Sequence, residues 1–306
     1  MTPDQTHHPR LRSLPIWREP IAIDPLPGGI TNRNELVVDA SGRKFVARSG
    51  ADLPLLGVDR RNEVACQAAA SSLGIAPEIV HHEPGLLVTR YLDARTMTAE
   101  SMQATDCLVR LAATLRKLHD AWDGLSGEML YFSSFQTIRT YAENAKVLQA
   151  SLPDDVDELV DDARSLARRI QPFTPVLCHN DLLPANILND GERISLVDWE
   201  YAGIGHPLFD LAGVSANCRL DDDQEQTLLA HYLGDRELSI DLMSELRIFK
   251  VASLLREALW SCIQSATSSI DFDYQAYATE NFDAYRRVRR QLDERADGVM
   301  SSLVAL

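Results

Sequence analysis

The chain has 306 residues, 45% of them hydrophobic and 25% charged, enough to bury a sizeable core and too long for one ordinary small domain. Its 30 basic and 45 acidic side chains leave a net charge of -15, the wrong sign for a nucleic-acid or anionic-membrane binder. Five dispersed cysteines (Cys66, Cys107, Cys178, Cys218, Cys262) form no CxxC pair, the usage of a reducing cytoplasm, and no run has the length of a membrane span or the pattern of a secretory signal.

In chain order, residues 1–15 read as a loose polar arm. Ile21–Leu26, Glu35–Asp39 and Lys44–Arg48 read as strands, broken by Pro27-Gly28-Gly29 and by Ser41-Gly42. Asp59 can cap a helix running to Leu73, with Gly74 just past its end. Glu78–His82 and Leu86–Tyr91 read as two more strands around Pro84-Gly85; His81 and His82 then point to opposite faces and cannot chelate together. Beyond Leu92 the pattern turns helical: Leu108, Leu111, Ala112, Leu115 and Leu118 recur at helical spacing, and helices follow at about 134–150 and 154–170. An irregular stretch at Pro172–Gly203 holds two apolar pieces, Ile187–Leu188 and Ile194–Val197, joined by the turn Asn189-Asp190-Gly191; from Leu208 the chain is helical again. The expected organisation is α+β: a small antiparallel β-rich N-lobe (residues 16–92) and a larger, mainly helical C-lobe (residues 93–306).

The chemistry concentrates in His179-Asn180-Asp181-Leu182-Leu183-Pro184-Ala185-Asn186, followed across the hairpin by Asp198-Trp199-Glu200. Phosphoryl transfer needs a metal-held triphosphate, an oriented hydroxyl and charge stabilisation. Asp181 can accept the hydroxyl proton, while Asn186 and Asp198 offer the hard oxygen ligands that Mg²⁺ takes. The order matches the kinase pattern HxDxxxxN followed by D; the bland alternative is a polar loop with a capping aspartate and an ordinary hairpin. His179 reads as an anchor of this loop, Asp210 as a cap for backbone N–H groups beneath it, and Asp221-Asp222-Asp223 as a solvated helix start.

The segments HNDLLPANIL, LVDWEYAG and FDLA together resemble the choline/ethanolamine kinase family, which shares a protein-kinase-like bilobal fold with the aminoglycoside phosphotransferases. The resemblance spans about Leu26 to Arg287 and implies an ATP- and Mg²⁺-dependent kinase of a small cationic amino alcohol. It implies that Gly28, Gly29, Ile30, Thr31 and Asn32 form a phosphate loop, where a plain hairpin turn is the local alternative. Arg48 is expected to grip phosphate oxygens, with Glu63 as its partner, and Thr89, Arg90, Tyr91 and Leu92 to form a hinge facing adenine. Carried over in the same way, Trp260 and Tyr277 wall the amine pocket; helix–helix core is the alternative use of both rings. Glu257 stands where many choline kinases have a second Trp, and a carboxylate there suits a primary ammonium. Glu200 reads either as support for the metal or as a substrate contact.

The same loop would serve a kinase of an aminoglycoside, thiamine or homoserine, so the acceptor must be argued from its pocket. A non-catalytic nucleotide-binding protein would be favoured by loss of Asp181, Asn186 or Asp198, and all three are present. A protein kinase is disfavoured because His206-Pro207 follows soon after Asp198, leaving little chain to hold a peptide.

Overall fold

The computed structural model describes residues 10–26, 33–121 and 123–304. The N-lobe is built on strands β1 (Ile21–Leu26), β2 (Arg33–Asp39) and β3 (Lys44–Ser49), then helix α1 (Arg60–Ser72), β4 (Ile79–Glu83) and β5 (Leu86–Arg90). The strands form one antiparallel sheet in the order β1-β2-β3-β5-β4. The period-2 alternation of β3 places its residues: Phe45 and Ala47 are buried in the N-lobe core, while Val46 and Arg48 line the cleft on the other face. Asp59 caps α1, accepting from the backbone N–H groups of Arg61 and Asn62.

Residues 10–15 do not belong to the loose arm expected there. Leu11–Ser13 form a 3₁₀ turn, and Leu11 and Leu14 are buried with Val37, Phe45 and Val88. The indole N–H of Trp17 donates to Leu11 O at 2.6 Å, closing the segment on itself, and the Trp17 ring meets Phe45 of the sheet edge-on at 5.1 Å. Two leucines in a polar stretch are too short a pattern to read as an element.

The C-lobe begins with the short edge strand β6 (Arg95–Thr96) and helices α2 (Ala99–Met102), α3 (Thr105–Asp120), α4 (Ser134–Val147) and α5 (Val156–Ala167). Strand β7 (Val176–Cys178) leads into the His179–Asn186 loop, and the hairpin β8 (Ile187–Asn189) and β9 (Ile194–Leu196) follows it. Strand β10 (Gly203–Gly205) returns to pair with β7, and β6 pairs with β8. Helices α6 (Pro207–Asn217), α7 (Asp222–Leu233), α8 (Ile240–Thr267) and α9 (Tyr274–Val304) complete the lobe. Strand β7 lies inside the stretch expected to be irregular, and β10 begins at its last residue. Three apolar residues and a Gly-Ile-Gly carry no strand signature; a Cβ on Gly203 would meet Leu130 O at 2.6 Å, so a glycine is needed there. Helix α8 packs against α4, α6 and α9 and is buried along most of its length. No helix among the described residues is long and apolar enough to cross a membrane.

Candidate active site

The His179–Asn186 loop is held from below by Asp210 on α6. Its two carboxylate oxygens accept from the backbone N–H groups of His179 (2.8 Å) and Asn180 (2.7 Å). His119 on α3 stands 3.1 Å from the same carboxylate and 2.9 Å from the Tyr232 hydroxyl. His119, Cys178 and Asp210 bring potential ligand atoms within 4.8 Å of one another, but these hydrogen bonds already engage both carboxylate oxygens and both ring nitrogens. The group is a buried brace for the loop. His179 is a second brace: Nε2 meets Val197 O at 2.9 Å and Nδ1 accepts from the Asp181 N–H at 3.3 Å, while burial lowers its pKa and keeps the ring neutral. Asn180 and Asp198 both take left-handed backbone conformations, with φ of 64° and 65°, which non-glycine residues keep only where their surroundings fix them.

These braces bring Asp181, Asn186 and Asp198 together. The Asn186 side-chain amide donates to Asp181 O at 2.9 Å and lies 3.3 Å from its Oδ2, so the amide oxygen is the atom left to meet a cation. Burial raises the Asp181 carboxyl to about 7; Arg256 opposes the shift, and Glu257 and Asp198 add to it.

Above the loop, a cavity of about 270 Å³ lies between β3, β5 and the hairpin, bordered by Val46, Leu87 and Leu188 and reaching Asn186 and Asp198. Thr89, Arg90, Tyr91 and Leu92 all line it, although the Arg90 guanidinium engages Glu78 and stacks over Phe45. Arg48 pairs with Glu63 through Nη2 and donates to Asp198 Oδ1 at 2.9 Å through Nη1. Burial lowers the Arg48 pKa, although Asp198 and Glu200 oppose that shift. Residues Gly28, Gly29, Ile30, Thr31 and Asn32 lie outside the described residues.

The family model for the "phosphotransferase enzyme family" matches residues 22–247. The chain belongs to this family. Among its relatives, this phosphotransferase is 24% identical to the protein LicA of Haemophilus influenzae over 87% of its own length and 79% of that protein's. It is 28% identical to ethanolamine kinase 2 of Homo sapiens, covering 90% of this chain and 78% of the other. The crystal structure of a choline/ethanolamine kinase family protein from Mesorhizobium loti superposes with a TM-score of 0.74 at 29% identity, covering 91% of this chain and 92% of that one. The protein-kinase-like bilobal fold expected from the motifs is the fold observed.

This phosphotransferase carries two site residues that sequence reasoning passed over. Arg256 on α8 donates through Nη2 to Asp181 Oδ1 (2.7 Å) and Glu257 Oε2 (3.0 Å). Burial lowers the guanidinium pKa, but Asp181 and Glu257 outweigh it and hold the value above the ordinary one. Tyr277 donates to Glu257 Oε1 at 3.1 Å, so both oxygens of Glu257 have partners within the protein. Arg60 on α1 is the other: Nη1 lies 3.0 Å from Glu63 and 2.9 Å from Glu200. Glu200 is buried between Arg60 and Arg48, on the side of the Asp198–Tyr201 segment that faces α1. Trp260 is buried; its indole N–H donates to the Tyr201 hydroxyl at 2.8 Å and its ring meets Tyr274 edge-on at 5.9 Å. The signal for Arg256 was available: an Arg-Glu pair inside Leu254-Leu255-Arg256-Glu257-Ala258-Leu259 is charge placed on a buried helix, which requires partners.

Proposed function

We propose that this phosphotransferase moves the γ-phosphoryl group of ATP, with Mg²⁺, onto the hydroxyl of a small cationic amino alcohol, choline or ethanolamine. The observation that carries the reading is the convergence of Asp181, Asn186 at 3.3 Å from it, and Asp198, which with Asn186 borders the cavity and is joined there to the Arg48–Glu63 pair. The cavity takes the nucleotide, with its base toward Thr89–Leu92 and its phosphates toward Arg48. Asn186 and Asp198 would hold Mg²⁺, and their amide and carboxylate oxygens suit a hard cation. Held by these two residues, such an ion would supply charge neutralisation at the phosphates. Asp181 accepts the acceptor's proton.

The acceptor is assigned from two supports. Relatives named as choline and ethanolamine kinases align over most of the chain. Aromatic rings cluster where α8 gives way to α9: Phe272 lies 5.0 Å from Tyr274 and 5.7 Å from Tyr277, and Phe272 is partly exposed. Such faces suit an ammonium group. The five cysteines are buried free thiols, which suits the cytoplasm in which this reading places the enzyme. Phosphorus-31 NMR of a reaction with ATP, Mg²⁺ and each amino alcohol tests the reading. A new phosphomonoester signal from choline or ethanolamine is expected. An ester formed only with thiamine, homoserine or an aminoglycoside would move the assignment to that acceptor.

A further inference from the structure

We propose that Arg256 is a positioning residue: it fixes the carboxylate of Asp181, and Glu257 and Tyr277 act on the reaction through it. The inference rests on the reading of Asp181 as the proton acceptor.

Arg256 and Glu257 are buried on α8, at 2% and 6% exposure, amid Leu254, Leu255, Ala258 and Leu259. A single nitrogen, Nη2, serves both carboxylates, while Nε and Nη1 are buried with no hydrogen-bond partner. The guanidinium's other close contact is the face of Tyr201, at 5.1 Å. A buried cation retained for stability would have its donors satisfied; leaving two unsatisfied is costly. The contact that is well made is the one aimed at the base. With Oδ1 held by Arg256 and Oδ2 beside the Asn186 amide, the carboxylate cannot turn freely, and Oδ2 is the oxygen left to the acceptor hydroxyl. Glu257 accepts from the same Nη2, and Tyr277 on α9 donates to Glu257. The connected path runs Tyr277, Glu257, Arg256, Asp181. A Glu257 occupied in this way acts as a brace for Arg256, not as a direct ligand for the acceptor's ammonium.

Steady-state kinetics with ATP, Mg²⁺ and whichever amino alcohol the wild type uses separate the two roles. Arg256→Met is expected to lower kcat roughly 10²-fold while the KM for ATP stays within about twofold, because a misplaced base slows transfer without touching the nucleotide. Arg256→Lys should recover about tenfold of that loss and leave the rest, since it restores one donor and the charge but not the planar guanidinium. Glu257→Gln should lower kcat about tenfold alone and less than about twofold when Arg256 is already Met, the non-additivity of residues in one network. Should Arg256→Met fail to fold, Arg256→Lys and the isosteric Glu257→Gln carry the comparison, through kcat falling with the ATP KM unchanged. The proposal is overturned if Arg256→Met or Arg256→Lys leaves kcat at the wild-type value. It is equally overturned if Glu257→Gln raises the acceptor KM by the same factor in both backgrounds, which marks a direct contact. If the wild type phosphorylates no amino alcohol, the substrate reading fails instead. The variants are then compared by acceptor-independent ADP release, where equal rates for wild type and Arg256→Met overturn the positioning role as well.

Discussion

At Asp181, burial and three charged neighbours work against one another. Burial, Glu257 and Asp198 favour the protonated acid, Arg256 favours the anion, and the carboxyl settles at about 7. Only the anion can accept the hydroxyl proton, so kcat/KM should fall about tenfold per pH unit below that value and level off above it. A profile flat between pH 8 and 5.5 would contradict this assignment. Asp181→Asn should keep nucleotide binding and lower turnover by roughly 10²–10⁴, the range for loss of a general base. On the nucleotide side, Arg48 touches both Glu63 and Asp198. Arg48→Ala should therefore raise the KM for ATP much more than that for the alcohol; equal changes in both would argue against a phosphate-facing guanidinium.

At the scale of elements, the catalytic loop keeps its shape because α6 reaches up to it. Asp210→Ala would strand two buried backbone N–H groups, at His179 and Asn180, and take away the carboxylate partner of His119. With each stranded group worth about 1–3 kcal/mol, a loss of roughly 3 kcal/mol or more is expected. Thermal denaturation should show it as a fall in Tm of about 6 °C or more, and an unchanged Tm would show that the loop stands without this cap. The elements that were legible carried their own signals. The N-lobe strands alternate and end at turn residues, α1 has its Asp59 cap, and the β8–β9 hairpin announces itself through Asn189-Asp190-Gly191. Strands β6, β7 and β10 were not legible because they have two or three residues each and exist through pairing partners distant in sequence. The site divides the same way. Asp181, Asn186 and Asp198 share a short spaced motif, whereas Arg60 and Arg256 matter through contacts that span 140 and 75 positions of sequence.

Across the whole molecule, the two lobes are tied at the segment that would carry the metal. Arg48 on β3 reaches Asp198, Arg60 on α1 reaches Glu200, and the Asn62 amide donates to Ala202 O at 2.8 Å. Asn62 also accepts from the Leu130 N–H at 2.7 Å, so α1 is held to the C-lobe at two backbone points. The N-lobe sheet is thereby set over the His179–Asn186 loop. The most direct test of this account is acceptor-stimulated ADP release by wild type and Asp181→Asn, measured with Mg²⁺ and ATP over choline, ethanolamine, thiamine, homoserine and an aminoglycoside panel. The account predicts stimulation by choline or ethanolamine in the wild type, abolished by EDTA and reduced at least about 10²-fold in Asp181→Asn. Equal stimulation in the variant, or a wild type indifferent to both amino alcohols, would contradict it.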